Sequence, residues 1–190
     1  KRSASLSPRG GDGAYEWTAK NLYTDGTRID PELPDATKTA LNINRVRVFG
    51  DNTDGTVSVS MASPSGAVDG TEFTTAVTAL NQYVTPSGTV LIASNCTTVS
   101  VSVTATITLR KGSSTSGVEA IAEQALTDYF PTSSIGGDDS FITIDELRGV
   151  LFRVSALVHG VSISLPAASV ALSSTQVAIA GTMTVTVAVQ

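Results

Sequence analysis

Residues Thr97 to Gly112, TTVSVSVTATITLRKG, alternate apolar with hydroxyl side chains and form the longest regular run in the chain. Successive side chains of an extended backbone point to opposite sides. Val99, Val101, Val103, Ala105, Ile107 and Leu109 therefore share one face, while Ser100, Ser102, Thr104, Thr106 and Thr108 share the other. A helical period would mix the two sets around its circumference. The pattern predicts a long strand with one face packed on a core and one face wet or covered by a partner.

The rest of the composition agrees with a β-rich chain. Ser and Thr make up 49 of 190 residues, with few Lys and Glu, a bias that favours strands and turns over exposed helices. At 41% hydrophobic residues the chain can fill the core of one ordinary domain or two small ones. Only 15% of residues are charged and the formal net charge is -5, which removes the broad cationic surface that nucleic acid demands. The single cysteine, Cys96, cannot close an intrachain disulfide and reads as a small buried hydrophobe beside a strand. No apolar run approaches the roughly 20 residues that span a bilayer, and the first residues carry no signal-peptide pattern. The start at Lys1 in place of methionine is what a fragment or a processed form would show.

Residues 1–44 read as an N-terminal arm. They are polar and rich in breakers, apart from DGAYEWTAKNLY, where a short helix capped by Asp12 would carry Tyr15, Trp17 and Tyr23. Those three aromatics have little apolar company in the arm, so they are the candidate subunit-interface residues. From Arg45 the chain becomes regular. RVRVFG and TVSVSMA, separated by DNTDG, predict a hairpin. Asp69 and Glu72 stand as N-cap and N3 of a helix with Phe73, Val77, Leu80 and Val84 on one stripe, stopped by Pro86, and TVLIAS follows as a strand. After the long strand the grammar repeats. Ser116 and Glu119 form a second capping pair, Val118, Ile121, Ala122, Ala125 and Tyr129 a second stripe, and Pro131 a stop. A third helix is expected where Thr143 precedes Glu146 by three residues and Leu147, Val150, Leu151 and Val154 share a face. The strands GVSISLP and TMTVTVAVQ then follow, with STQVAIAG ambiguous between them. The expected fold is α+β: two small serial units of antiparallel or mixed β-sheet with packed helices, at 45–96 and 97–190, preceded by the arm.

Chemistry-bearing patterns are sparse. His159 is the only histidine, and no nucleophile-elbow context accompanies it, so a hydrolase is the weakest alternative. One His and one Cys far apart in sequence do not make a metal cluster. DNTDG fails the calcium-loop pattern, because Gly55 and Ala62 stand at positions 5 and 12, and it reads as a turn. The Asp138–Asp139 pair reads as a solvated loop, and neither glycine-rich phosphate signature is present. No catalytic, cofactor-binding or metal residue is expected. The hydroxyl strand face could hold a glycan, as in a surface or adhesin-like module. Sugar sites, however, want aromatic platforms, and no aromatic falls on that face. Meeting protein suits it better.

Taken in order, SPRGGDGAYEWTAKNL, INRVRVFGDNTDGTVSVSMASPSG, YVTPSGTVLIAS with VSVSVTATITL, VEAIAEQALTDYFPT, ITIDELRGVLFRVSALVHGVSISLP and GTMTVTV resemble segments of the baseplate J family of contractile-tailed bacteriophages. The likeness covers nearly the whole chain and lies in element order and small-residue punctuation. It implies a wedge-type structural protein of the tail baseplate with no enzyme activity and no cofactor. The implied partners are sister subunits and other baseplate or tail proteins, with no small-molecule substrate, no nucleic acid and no membrane span. The implied location is the virion tail, after assembly in the host bacterial cytoplasm. Family members carry a further N-terminal region, so the resemblance also implies a fragment.

Overall fold

Alternation becomes sheet in both halves of the chain. The computed structural model describes residues 11–52, 55–137 and 141–190; residues 1–10, the centre of the DNTDG turn and the Asp138–Asp139 pair lie outside the described residues. The chain is α+β and divides into two compact units between Thr97 and Thr98.

The first unit contains α1 (Asp12–Lys20), β1 (Arg45–Asn52), β2 (Thr56–Ala62), α2 (Gly70–Tyr83) and β3 (Val90–Asn95). β1 and β2 are antiparallel, with Val46 opposite Met61 and Val48 opposite Val59. β3 adds to the other side of β2 in parallel, so α2 is the crossover that a parallel neighbour requires. Asp69 caps α2 as the sequence suggests, its carboxylate accepting from the amides of Thr71 at 2.9 Å and Glu72 at 3.5 Å. Glu72 does not close the box; its Oε2 accepts instead from the amide of Asn42. Ala76, Ala79, Leu80 and Val84 are buried, and Phe73 and Val77 pack against them from the side.

Residues 11–44 fold into this unit. α1 starts after Gly11, whose extended backbone occupies the N-cap position, so Asp12 lies in the first turn and makes no cap bond. Its charge there still complements the helix dipole. Ala14, Tyr15 and Ala19 join Leu22, Leu41 and Ile43 in the core under β2. The chain between α1 and β1 is pinned by bridges of Leu22 with Arg28 and Tyr23 with Ala40, and the Tyr23 hydroxyl accepts from the Asp35 amide at 2.6 Å.

The second unit contains β4 (Thr97–Leu109), α3 (Val118–Tyr129) running into a 3-10 turn at Phe130–Thr132, β5 (Phe141–Ile142), α4 (Ile144–Phe152), β6 (Val158–Leu165), β7 (Val170–Ala171) and β8 (Gln176–Val189). The strand order is β6-β4-β8. β6 is antiparallel to β4, with Ile163 opposite Ala105 and Val161 opposite Ile107. β8 runs in the same direction as β4: the Thr182 amide meets the Ser102 hydroxyl, Thr186 meets Thr106, and the Gln190 amide donates to the Leu109 carbonyl. The segment left ambiguous by its sequence, STQVAIAG, and the closing TMTVTVAVQ are one 14-residue strand. Val101, Val103, Ala105, Ile107 and Leu109 of β4 are all buried. Each of the larger ones contributes roughly 1.5–3 kcal/mol of burial, which fixes the register of the whole sheet.

Two sequence expectations change here. The Ser116–Glu119 capping pair does not form: the N-cap is Gly117 at φ 77, with no side-chain cap bond. The core face of α3 is also rotated. Ala122 and Leu126 are buried, whereas Ile121 is 57% exposed. The reason is the seat of the helix along β8, which turns Glu119 and Glu123 toward the strand and carries the neighbouring Ala122 and Leu126 inward. α4 follows its sequence. Thr143 and Glu146 make a reciprocal capping box, and Leu147 and Leu151 are fully buried.

Candidate docking surface

The outer face of the second sheet carries hydroxyls on all three strands. Ser100, Thr104 and Thr106 of β4, Ser162 and Ser164 of β6, and Thr182, Thr184 and Thr186 of β8 are exposed, with Ser102 and Thr108 half-buried among them. They are tied laterally. The Thr106 and Thr186 hydroxyls lie 3.0 Å apart, and the Ser164 hydroxyl donates to the Thr104 carbonyl at 3.2 Å. At Gly181 an added Cβ would lie 2.6 Å from the Ser102 Oγ and 2.8 Å from the Ser100 Oγ, so the bare backbone lets β8 sit close against the serines.

Across the 13, 8 and 14 residues of β4, β6 and β8 there is no Asp, Glu, Lys or Arg. A free sheet face ordinarily carries such side chains, and the cores of protein interfaces are depleted of them. Each hydroxyl both donates and accepts, so the face can pair with a partner without desolvating an ion. His159, the one titratable side chain in these strands, is exposed where the β4–β6 pairing shifts between Thr108 and Leu109. It is not among the residues lining the cavities described below.

The two edges of this sheet differ. Along the outer edge of β8, Ile135 bridges Val177, Glu123 Oε1 accepts from the Val185 amide at 3.1 Å, and Glu119 Oε1 accepts from the Val187 amide at 3.2 Å. Helix α3 thus occupies amides that another strand could have taken. Sequence reasoning missed this role. The available signal was two glutamates at i and i+4, which by spacing alone cannot be told from a solvated helix face.

Concavities also lie among the described residues. Between α3 and α4, Ile121, Ala125, Tyr129, Val150 and Val154, with Asp128 and Arg153, line an open, mostly apolar groove of about 470 Å³. The Tyr129 phenol beside it is pushed up to about 12 by burial and by the Glu146 carboxylate, to which its hydroxyl donates at 3.2 Å. In the first unit a polar cavity of about 480 Å³ is lined by Thr24, Asp25, Thr74, Thr78, Gln82 and Tyr83, among others. Its threonines 74 and 78 donate to backbone carbonyls one turn back in α2. The Lys38 ammonium at 2.7 Å, followed by the Thr27 hydroxyl and amide, holds the Asp25 carboxyl well below the usual carboxylate range. Among the described residues, no group of three or more His, Cys, Asp or Glu is placed to hold a metal ion.

The three aromatics expected at a subunit interface separate. Tyr15 is 0% and Tyr23 5% exposed, both within the first unit: Leu22, Leu41 and Ile43 share the core with Tyr15, and Tyr23 is held by the Ala40 bridge, the Asp35 amide and the Lys38 ammonium 5.5 Å from its ring. Trp17 stays half-buried, with the Arg28 guanidinium 5.9 Å from its ring and 4.6 Å from that of Tyr83. Cys96 is buried, and burial pushes its thiol up to about 11, which leaves little thiolate at neutral pH.

Residues 101–186 match the family of the Baseplate J-like protein C-terminal domain, a span that starts inside β4, ends inside β8 and takes in the helices between. The curated proteins offer no match to the chain.

Proposed function

We propose, with the chain belonging over residues 101–186 to the baseplate J-like family and having a structural role in a phage tail baseplate, that it acts as a wedge-type assembly component through protein–protein contacts. Its docking surface is the hydroxyl face of β4, β6 and β8, and its partners are sister subunits and other tail proteins. The role is not enzymatic, and assembly takes place in the host bacterial cytoplasm before the protein takes its place in the tail. One observation carries this reading: a three-stranded exposed sheet face whose strands hold no Asp, Glu, Lys or Arg. Such a face gives up little solvation when it is covered, and its many donors and acceptors set the partner's register. Of the three aromatics, Trp17 is the one left with surface to offer a neighbour, and its amphipathic ring suits a contact at the rim.

Co-expression with the other baseplate proteins of the same tail tests this. Thr104→Lys together with Thr186→Lys places two ammonium groups on the face, at positions not directly opposite each other, without touching the core. The doubly substituted chain should melt like the wild type yet fail to co-purify with its neighbours. Undiminished co-purification would sink the assignment of the face.

A further inference from the structure

The contrast between the two edges of the second sheet leads to a separate conclusion. We propose that the free edge of β6 is a strand-pairing site, and that its partner is β6 of a second copy of this chain, the two strands running antiparallel. In an antiparallel ladder every second residue of an edge strand turns its N–H and C=O away from its neighbour. On β8 the amides of Val185 and Val187 are engaged by Glu123 and Glu119, and Val177 is bridged by Ile135. For His159 to Leu165 of β6, backbone bonding among the described residues lies within the ladder with β4.

β6 also lacks the usual deterrents to pairing. VHGVSISL contains no lysine, no acid and no proline, and its pairing irregularities fall toward its ends, leaving Val161, Ser162 and Ile163 in regular register with β4. Leaving one edge bare while blocking the other at Val177, Val185 and Val187 has a physical consequence. With both edges open, β6 of one molecule could pair with β8 of the next and the sheet would propagate without limit. With β8 sealed, pairing at β6 closes on itself as a two-fold dimer.

The strand is its own complement. Val161 and Ile163 face the core while Ser162 and Ser164 belong to the hydroxyl face. An antiparallel pairing centred on Ser162 sets Ser162 beside its twin and Val161 beside Ile163, so both faces continue from one copy into the other. No like charges meet across the join. The product is a six-stranded sheet whose hydroxyl face is doubled in width, and it rests on the edge geometry whether or not that face docks a tail protein.

Sedimentation equilibrium of the full chain, with melting followed by circular dichroism as the folding control, tests the proposal. The wild type should dimerise reversibly. Ser162→Lys with Ser164→Lys, and Ser162→Glu with Ser164→Glu, should each weaken dimerisation by more than about tenfold through like charges set opposite one another. Mixing the two variants should restore a dimer of unlike chains. Thr184→Lys with Thr186→Lys puts the same charge on the same face beside the sealed edge and should leave the dimer intact. A wild type that stays monomeric to its solubility limit overturns the proposal, as does a mixture that fails to re-associate. A dimer broken equally by the β8 lysines overturns it as well, since contact would then run through the face.

Discussion

Replacing Glu123 with alanine removes the acceptor that the Val185 amide uses at 3.1 Å, in a strand residue that is only 4% exposed. Hydrogen bonds to charged groups contribute about 1.5–3 kcal/mol, and stranding a buried donor costs about 1–3 kcal/mol. Glu123 is itself half-exposed, and water at the edge replaces part of what is lost, so about 1–2 kcal/mol is the expected cost. Glu123→Gln keeps an oxygen in place without the charge and should cost roughly half as much. Glu119 accepts from Val187 in full contact with solvent, and its alanine variant should cost about 0.5 kcal/mol. Amide hydrogen exchange reads the effect at its source: a loss of about 1–2 kcal/mol should speed exchange of the Val185 N–H by roughly 5–30-fold. The order should be alanine, then glutamine, then wild type. If Glu123→Ala leaves Val185 exchange unchanged, the carboxylate does not guard the edge. With both glutamates replaced by alanine the Val185–Val187 stretch of the β8 edge is open as well, and open-ended assemblies larger than a dimer should appear in sedimentation velocity.

The rotated face of α3 gives a paired test: Leu126→Ala should cost about 2–5 kcal/mol in urea unfolding, whereas Ile121→Lys should stay within about 0.5 kcal/mol. Tyr15 is fully buried and its hydroxyl has no hydrogen-bond partner among the described residues, so Tyr15→Phe should stabilise the chain by about 1 kcal/mol; a clear loss of stability would show that the hydroxyl is satisfied. Tyr129 has a folded-state value pushed up to about 12, above the ordinary 10, so its contribution is fully present below pH 10 and is lost as pH rises toward 12. Tyr129→Phe should flatten that part of a stability-versus-pH curve measured by chemical denaturation.

Much of the fold could be read from local pattern. The alternation at Thr97–Leu109, the Asp69 cap and the Thr143–Glu146 box are each decided by residues a few positions apart, and each took the expected form. What failed depended on partners distant in sequence. The period of α3 defines stripes, but the seat of the helix on β8, more than fifty residues later, chose Ala122 and Leu126 over Ile121. Glu119 looked like a capping residue because Ser116 stands three before it, yet Gly117 in the left-handed region starts the helix without a side-chain cap and frees that carboxylate for the strand. Tyr15 looked stranded because its apolar company comes from Leu41, Ile43 and β2, and Tyr23 because its partners Asp35 and Ala40 lie more than ten residues on. The hydroxyl face was visible as a pattern in β4 alone; that β6 and β8 extend it without an Asp, Glu, Lys or Arg needed the strand order.

The most direct measurement of whether the face is covered uses the chain's single native cysteine as a silent background, since Cys96 is buried with its thiol at about 11. Thr106→Cys places a reactive thiol at the centre of the hydroxyl face, and its rate of maleimide labelling can be followed in the free protein and in assembled tail baseplates. Rapid labelling of the free chain with strong protection after assembly is the expected result. Equal rates in both states would mean that no neighbour covers the face and that the account built on it is wrong.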